Sequence, residues 1–319
     1  MIGQIRRGHY PPFMDLVSIP GIGHIQWFTP PQTGGVRRPS LLIEIPHGAT
    51  RAHHYTTLRD QLQGSYPDGL EAFFFVNTDV GAPELGVEVA RNLSASGLTV
   101  LVLTSEIPRT FIDCNRVIDA DPDAYRAGGV TPGIPPYVKD PTDLDLLRSL
   151  HRQYVAMAER AFRATCGAGG TALMLHSYAP RSVGVEVDDR IVDQLRWAYQ
   201  PEVMPRWPLR PQADVISTTP EGTVLAPGQL LNNLLAALAG ININAGAGQT
   251  YPLHPSTQAA RFAAQYPEQT LCLEIRRDLL VSEFTPFSEM IPSPENIHHI
   301  AGALTNALKP WLSQSSGAS

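Results

Sequence analysis

No run of about 18 consecutive apolar residues occurs in this 319-residue chain, so its pattern offers no membrane-spanning helix. Cysteine is scarce. Cys114, Cys166 and Cys272 are widely spaced, odd in number and form no CxxC, which argues against a disulfide framework and for a reducing cytoplasm. Positive charge is nowhere concentrated. No basic run exceeds two residues and the net charge is −6, which leaves a nucleic-acid or anionic-membrane partner without electrostatic support. The opening "MIGQIRRGHYPPFMD" carries charge with no apolar core behind it, so a secretory leader is not expected. Several well-known signatures are missing as well: the GxxxxGK[ST] phosphate loop, the GxSxG nucleophile elbow and HExxH. "GIGHIQ" and "GAGQTY" lack the third glycine and the strand-to-helix setting of a dinucleotide loop. There is no internal repeat.

What is present is a chain that is 43% hydrophobic, enough for a large core. A prior of roughly 150 residues per domain allows one or two domains. We read residues 1–38 as an irregular or short-strand extension, 39–312 as one α/β hydrolase domain and 313–319 as a flexible tail. Strand patterns stand at Leu41–Ile45, Phe73–Val76, "LTVLVLT", "TFIDCNR", "GTALMLHSY", "GVEV", "ININAGAG" and "QTLCLEIRRDLL". Between them lie helical patterns. "APELGVEVARNLSASG" spaces Leu85, Val89 and Leu93 on one face and offers Gly97 as its C-cap. A long helix through "PTDLDLLRSLHRQYVAMAERAFRATCG" has Thr142 as candidate cap, and further helices fall at 188–199, 226–239 and 294–309. The Pro-rich connections 120–141 and 200–225 are suited to wall a site. This alternation implies a mixed, mainly parallel central sheet with helices on both faces.

In such sheets, ligands bind at the C-terminal ends of the strands. Chemistry gathers there. His47 follows Leu41–Ile45, Asp79 ends "FFFVNTD", Asn115 and Arg116 end "TFIDCNR", His176 ends "ALMLHS" and Glu274 lies near the end of "TLCLEIRR". Two histidines and a carboxylate are a usual ligand set for catalytic zinc, and a further carboxylate then serves as base. An Asn beside an Arg suits capture of a carboxylate. Each residue taken alone also has a plain structural reading. A strand-end histidine is commonly a surface residue, Asp79 suits a helix cap, Glu274 suits an ion pair with Arg276 or Arg277, and Asn115-Arg116 suits a turn. His254, in "GQTYPLHPS", lies in a loop within reach of such a site.

The ordered fragments Pro46-His47-Gly48, Thr78-Asp79, Arg109 through Arg116 as R-x-x-x-D-x-N-R, His176-Ser177 and Leu273-Glu274 resemble the N-formylglutamate amidohydrolase family, over roughly residues 40 to 280. That family is related in fold to the zinc carboxypeptidases and aminoacylase-like deacylases, so the resemblance implies a zinc-carboxypeptidase-like fold. It further implies that His47, Asp79 and His176 hold one zinc per chain, with Glu84 as the alternative carboxylate. Glu274 would activate water, Arg109 would steady an oxyanion or a substrate carboxylate, and Asn115 and Arg116 would bind the substrate's α-carboxylate. The sequence departs from the family pattern at Gly48, where the family has serine, at Val80, and at Met174-Leu175, where an acid would precede the His-Ser pair.

The activity so implied is zinc-dependent hydrolysis of an N-acyl amino acid or similar carboxylate-bearing amide. A carboxypeptidase-like enzyme acting on a peptide or modified peptide is the second reading. A non-catalytic carboxylate-binding protein is the third. The expected partner is a small-molecule or peptide substrate with a free carboxylate, with no nucleic acid and no membrane; the oligomeric state is left open.

Overall fold

Alternation of period two decides which face of a sheet each side chain occupies. The structure is a computed structural model, and it describes residues 16–31, 38–118 and 131–315. The strands are β1 (Gly23–Phe28), β2 (Leu41–Ile45), β3 (Val100–Ser105), β4 (Thr171–Tyr178), β5 (Ala213–Ile216), β6 (Ala245–Ala247) and β7 (Thr270–Arg276). They form one sheet in the order β1-β3-β2-β4-β7-β5-β6. The middle strands β3, β2, β4 and β7 run parallel, while β1 at one edge is antiparallel to β3 and β5 is antiparallel to β7. The mixed, mainly parallel sheet read from the sequence is thus the one observed.

Helices cover both faces: α1 (Ala52–Arg59), α2 (Leu70–Asn77), α3 (Ala82–Ala95), α4 (Pro141–Thr165), α5 (Ile191–Ala198), α6 (Gly228–Gly240), α7 (Gln258–Gln265) and α8 (Pro294–Ser315). Helices α3, α6 and α8 pack on the face that carries Ile43, Ile45, Leu173, Leu175, Leu273 and Ile275. The other face carries Leu42, Met174 and Cys272 and is covered by α1, α2, α4, α5 and α7. Continuing that alternation by one step puts His176 and Glu274 on the second face, directly paired across β4 and β7. Strand β2 has β3 on one side and β4 on the other, so the chain reverses its direction of strand addition there. A crevice opens beyond the strand ends at such a point. His47 sits at that point, two residues after β2.

Close approach and capping hold the frame. Gly86 in α3 faces β2, where an added Cβ would fall 2.9 Å from Ile45 Cδ1. The helix ends in a Schellman motif, Leu98 N donating to Leu93 O and Gly97 N to Ser94 O, with Gly97 at φ +95°. The cap of α4 is Asp140, not Thr142: its carboxylate accepts from the backbone N–H of Thr142 and Asp143, with Pro141 starting the helix.

Several sequence expectations need correction. Phe73–Val76 is helical, part of α2, and all four side chains are buried as α2 packs against α5 on one side and the aromatic core on the other. A short unbroken apolar run does not distinguish a buried helix from a buried strand. "TFIDCNR" is a turn-rich loop held by an isolated bridge from Arg116 to Thr257. "GVEV" does alternate, with half-buried valines and exposed Glu186, but it has no ladder partner and its apolar side lines a cavity instead. The 200–225 connection contains β5, a four-residue strand that the sequence reading passed over. Residues 23–28 belong to the sheet rather than to an extension, and α8 continues to Ser315, so 313–315 are helical. Of the 120–141 connection, residues 120–130 lie outside the described residues. Among the described residues, no helix is long and apolar enough to cross a membrane.

Candidate metal centre and its cavity

Three buried side chains meet beyond the ends of β2 and β4. His47 (4% exposed) lies in the turn after β2, Asp79 (1%) lies in the turn between α2 and α3, and His176 (2%) is on β4. His47 Nδ1 is 3.2 Å from Asp79 Oδ2, His176 Nδ1 is 3.1 Å from the same oxygen, and the two Nδ1 atoms are 3.2 Å apart. Donor atoms about 2.0–2.1 Å from a tetrahedral zinc stand about 3.3 Å from one another. The observed triangle is therefore one face of such a tetrahedron within a few tenths of an ångström. Among the described residues this is the group of His, Cys, Asp and Glu side chains that could hold a metal.

Protonation chemistry points the same way. The second nitrogen of His47, Nε2, lies 2.7 Å from Asp113 Oδ1. A carboxylate only accepts, so Nε2 carries the proton and a neutral His47 turns its Nδ1 lone pair toward Asp79. A lone pair facing a carboxylate needs a cation between them, a metal or an added proton. The residues present therefore fit a metal of zinc type. Burial pushes the Asp79 carboxyl upward, and the two imidazoles outweigh it and hold it far below the usual carboxylate range.

Local structure fixes each of the three. Thr78, which ends α2, donates its hydroxyl to Ala49 O, tying Asp79's turn to the segment after His47. Ser177 donates its N–H to Asp79 Oδ2 at 3.2 Å and its hydroxyl to Val80 O at 2.9 Å, tying the turn to β4. Gly81, at φ +86°, lets the chain enter α3, and Leu280 fills the space where a Cβ would stand. Asp79 thus arrives from a helix end and not from a strand end. Glu84 is elsewhere: its Oε1 accepts from Arg51 Nη2 at 2.6 Å.

Sequence reasoning gave Asp113 no role, although it stands inside the R-x-x-x-D-x-N-R run, and that run was the available signal. Its Oδ1 accepts from His47 and from Asn115 N at 2.8 Å, and its Oδ2 accepts from Arg109 Nη2 at 2.9 Å. Burial raises its carboxyl, and His47, Arg109 and Arg116 outweigh this and hold it well below the ordinary range. Arg109 Nη1 also lies 3.7 Å from Asp79 Oδ1, so this guanidinium spans the two carboxylates at the cavity wall.

Glu274 is in register with His176 on the neighbouring strand. Its Oε1 accepts from Tyr251 OH at 2.7 Å, while Oε2 is buried without a hydrogen-bond partner. Tyr251 had no sequence signal; only the tertiary fold brings it to β7. The two arginines after Glu274 divide. Arg276 grips Asp278 through two bonds of 2.9 and 2.8 Å, whereas Arg277 is buried at the cavity and donates to Val76 O at 2.6 Å. Val76 lies in the last turn of α2, whose carbonyls favour a cation. Burial pulls the Arg277 guanidinium below its ordinary value, against the raising effect of Asp79.

A cavity of about 480 Å³ opens onto these groups. His47, His176, Glu274, Arg109, Asn115, Arg116 and His254 all line it, so the structure brings together the residues singled out in the sequence, with Asp79 directly behind them. Asn115 Oδ1 accepts from Ala259 N, which leaves the amide NH₂ as the free donor end. Arg116 Nε donates to Thr131 O at 3.1 Å, and its Nη1 is 3.8 Å from Asp113 Oδ2. His254 Nδ1 accepts from Ser256 N, so its Nε2 carries the proton when the ring is neutral. The connection 200–225 contributes Arg210 and Ile216 to the walls, and Thr131 comes from the other long connection.

No family model and no curated protein sequence matches the chain. Among solved structures, it is similar to an N-formylglutamate amidohydrolase from Ralstonia eutropha JMP134, with 16% identity over 92% of this chain and 99% of that one and a TM-score of 0.57. It is also similar to the gene product Atu2144 from Agrobacterium tumefaciens, with 17% identity over 87% of this chain and 92% of that one and a TM-score of 0.53. A metallo-carboxypeptidase from Burkholderia cenocepacia superposes at a TM-score of 0.39, with 11% identity over 91% of this chain and 61% of that one, too low to establish a common fold. At such identities the first two matches establish the fold.

Proposed function

We propose that this chain is a metal-dependent amidohydrolase that cleaves the amide bond of an N-acyl amino acid or a similar carboxylate-bearing amide. His47, Asp79 and His176 would hold one zinc-type ion per chain. The observation that carries this reading is the convergence of three candidate ligand atoms, His47 Nδ1, His176 Nδ1 and Asp79 Oδ2, together with an unpartnered carboxylate oxygen, Glu274 Oε2, at the same cavity. When bound there, zinc polarises an amide carbonyl and brings the pKa of water near about 7. The fold shared with a solved N-formylglutamate amidohydrolase supports the reading.

The chain's own groups divide the remaining work. Tyr251 holds Glu274 through Oε1 and leaves Oε2 to accept the proton of the attacking water and deliver it to the departing nitrogen. Arg109 places positive charge at the cavity wall, where negative charge develops on the carbonyl oxygen. Asn115 and Arg116 grip the substrate carboxylate, and the Nε2–H of His254 adds a donor at the same wall. A binding protein would need the arginines but not the base.

The test is hydrolysis of a panel of N-formyl, N-acetyl and dipeptide substrates by the zinc-loaded chain and by Glu274→Gln. Turnover by the parent, with a loss of at least a hundredfold in the variant at equal zinc content, supports the proposal. Equal turnover in both would remove Glu274 from the mechanism. Cleavage confined to dipeptides and longer chains would favour the carboxypeptidase-like reading.

A further inference from the structure

The cavity has a second character away from the metal centre. Val183, Val185 and Val187 line it from the segment between β4 and α5, together with exposed Gly184, while Glu186 is exposed and does not line it. Among the described residues the backbone of this segment makes no hydrogen bonds over 183–187. Its alternation therefore serves no sheet. Phe73 of α2 and Ile191 and Leu195 of α5 line the same cavity. These six side chains form an apolar wall within a cavity of about 480 Å³. Pockets of about 300–1,000 Å³ are the size that bury drug-sized ligands. A formyl group and a short acidic side chain would leave this wall wet.

Three further cations line the cavity, each held by neutral oxygens, and Arg277 Nε has no hydrogen-bond partner. Arg277 donates to Val76 O and Ser177 O. Arg181 donates to Trp207 O at 2.6 Å. Arg210 lies over the Tyr178 ring and donates to Ser182 Oγ at 3.0 Å. Glu186 turns to solvent. A carboxylate packed against the valine side chains themselves would lose its hydration there. An alkyl or aromatic group placed there would displace water from apolar surface.

We propose that the substrate carries a bulky apolar substituent that packs on this wall, so that the substrate class is hydrophobic N-acyl amino acids. The apolar group is either the acyl chain or the amino-acid side chain. The proposal rests on the amidohydrolase reading for its chemistry, but the wall can be tested without turnover.

The experiment uses the zinc-loaded full chain and two substrate series. One lengthens the acyl group on glycine from formyl through acetyl and butanoyl to octanoyl. The other keeps the formyl group and varies the residue among alanine, leucine, phenylalanine and glutamate. kcat/KM is measured for each, and calorimetric affinity is measured in Glu274→Gln with the same compounds. In one series kcat/KM and affinity should rise about fourfold per buried methylene, and leucine or phenylalanine should exceed glutamate. Val185→Asp should flatten the gradient; Val185→Ser, less drastic, should flatten it partly, and thermal melts check that both variants fold. A gradient in the acyl series assigns the wall to the acyl chain, and one in the residue series assigns it to the side chain. A preference for formyl over longer acyl groups together with glutamate over leucine would overturn the proposal, as would absence of any length dependence in affinity. Length-dependent affinity with no turnover of any amide would uphold the wall and refute the amidohydrolase reading instead.

Discussion

Replacing Asp113 by Asn probes how the candidate centre is built. The carboxylate accepts three hydrogen bonds, from His47 Nε2 at 2.7 Å, Asn115 N at 2.8 Å and Arg109 Nη2 at 2.9 Å. An amide of the same shape has one oxygen and one NH₂. Facing its oxygen to His47 and Asn115 keeps two bonds and turns the NH₂ onto the Arg109 guanidinium, donor against donor. The other orientation is worse, because the NH₂ then meets two N–H groups. In the better orientation the His47 bond changes from charge-assisted, about 1.5–3 kcal/mol, to neutral, about 0.5–1.5 kcal/mol. A loss of about 1.4 kcal/mol is a factor of ten in an equilibrium constant. Zinc affinity should fall about tenfold, at the lower end of the 10–100-fold range typical when a carboxylate behind a metal-binding histidine is altered. Asp113→Ala, which leaves His47 without its acceptor, should approach about a hundredfold. Competition titration against a chromophoric chelator measures both, with Asp189→Asn as a surface control whose ionic partner among the described residues is exposed Lys139. Affinities within twofold of the parent in both Asp113 variants would refute the reasoning.

Three further outcomes are expected. Gly48→Ser places a Cβ against Thr104 Cγ2 and 3.1 Å from Ser105 O, so it should lower stability by about 1–3 kcal/mol in urea denaturation, with partial recovery when Thr104 is also made Ser; unchanged stability would refute the steric account. Buried Asp143 accepts from Gln63 N, Gly64 N and Tyr66 OH, and Asp143→Asn should cost about 2–3 kcal/mol. Although burial acts upward on that carboxyl, these bonds hold it below its ordinary value; its stabilisation is complete above the unfolded pKa of about 3.9 and fades as pH falls through the lower folded value, a component that pH-dependent melts of the variant should lack. Tyr251→Phe frees Glu274 Oε1 and should lower kcat roughly tenfold with zinc content unchanged; equal kcat would show that Glu274 needs no such hold.

Residues whose role follows from strand periodicity were readable in the sequence, and residues placed by tertiary contact were not. His176 and Glu274 were legible because β4 and β7 are apolar, parallel and in register, so both end their strands at one edge. His47 was legible for the same reason. Asp79 was found through its motif but placed on the wrong element, because Phe73–Val76 packs its helix on all sides and shows no amphipathic period. Asn115 and Arg116 lie on a buried loop whose order comes from distant partners such as Thr257 and Ala259, which no local pattern announces. Tyr251 and Arg277 reach the cavity through the arrangement of β7 and the loops beside it. The valine alternation at 183–187 was visible, but its meaning depended on there being no strand to pair with.

The central claim is that His47, Asp79 and His176 together hold one metal ion. Elemental analysis of the parent and of His176→Ala, reconstituted side by side with zinc and matched for folding by circular dichroism, tests it most directly. One zinc per chain is expected in the parent and a substoichiometric amount in the variant. A parent that holds no metal after reconstitution, or a variant that holds as much as the parent, would contradict it.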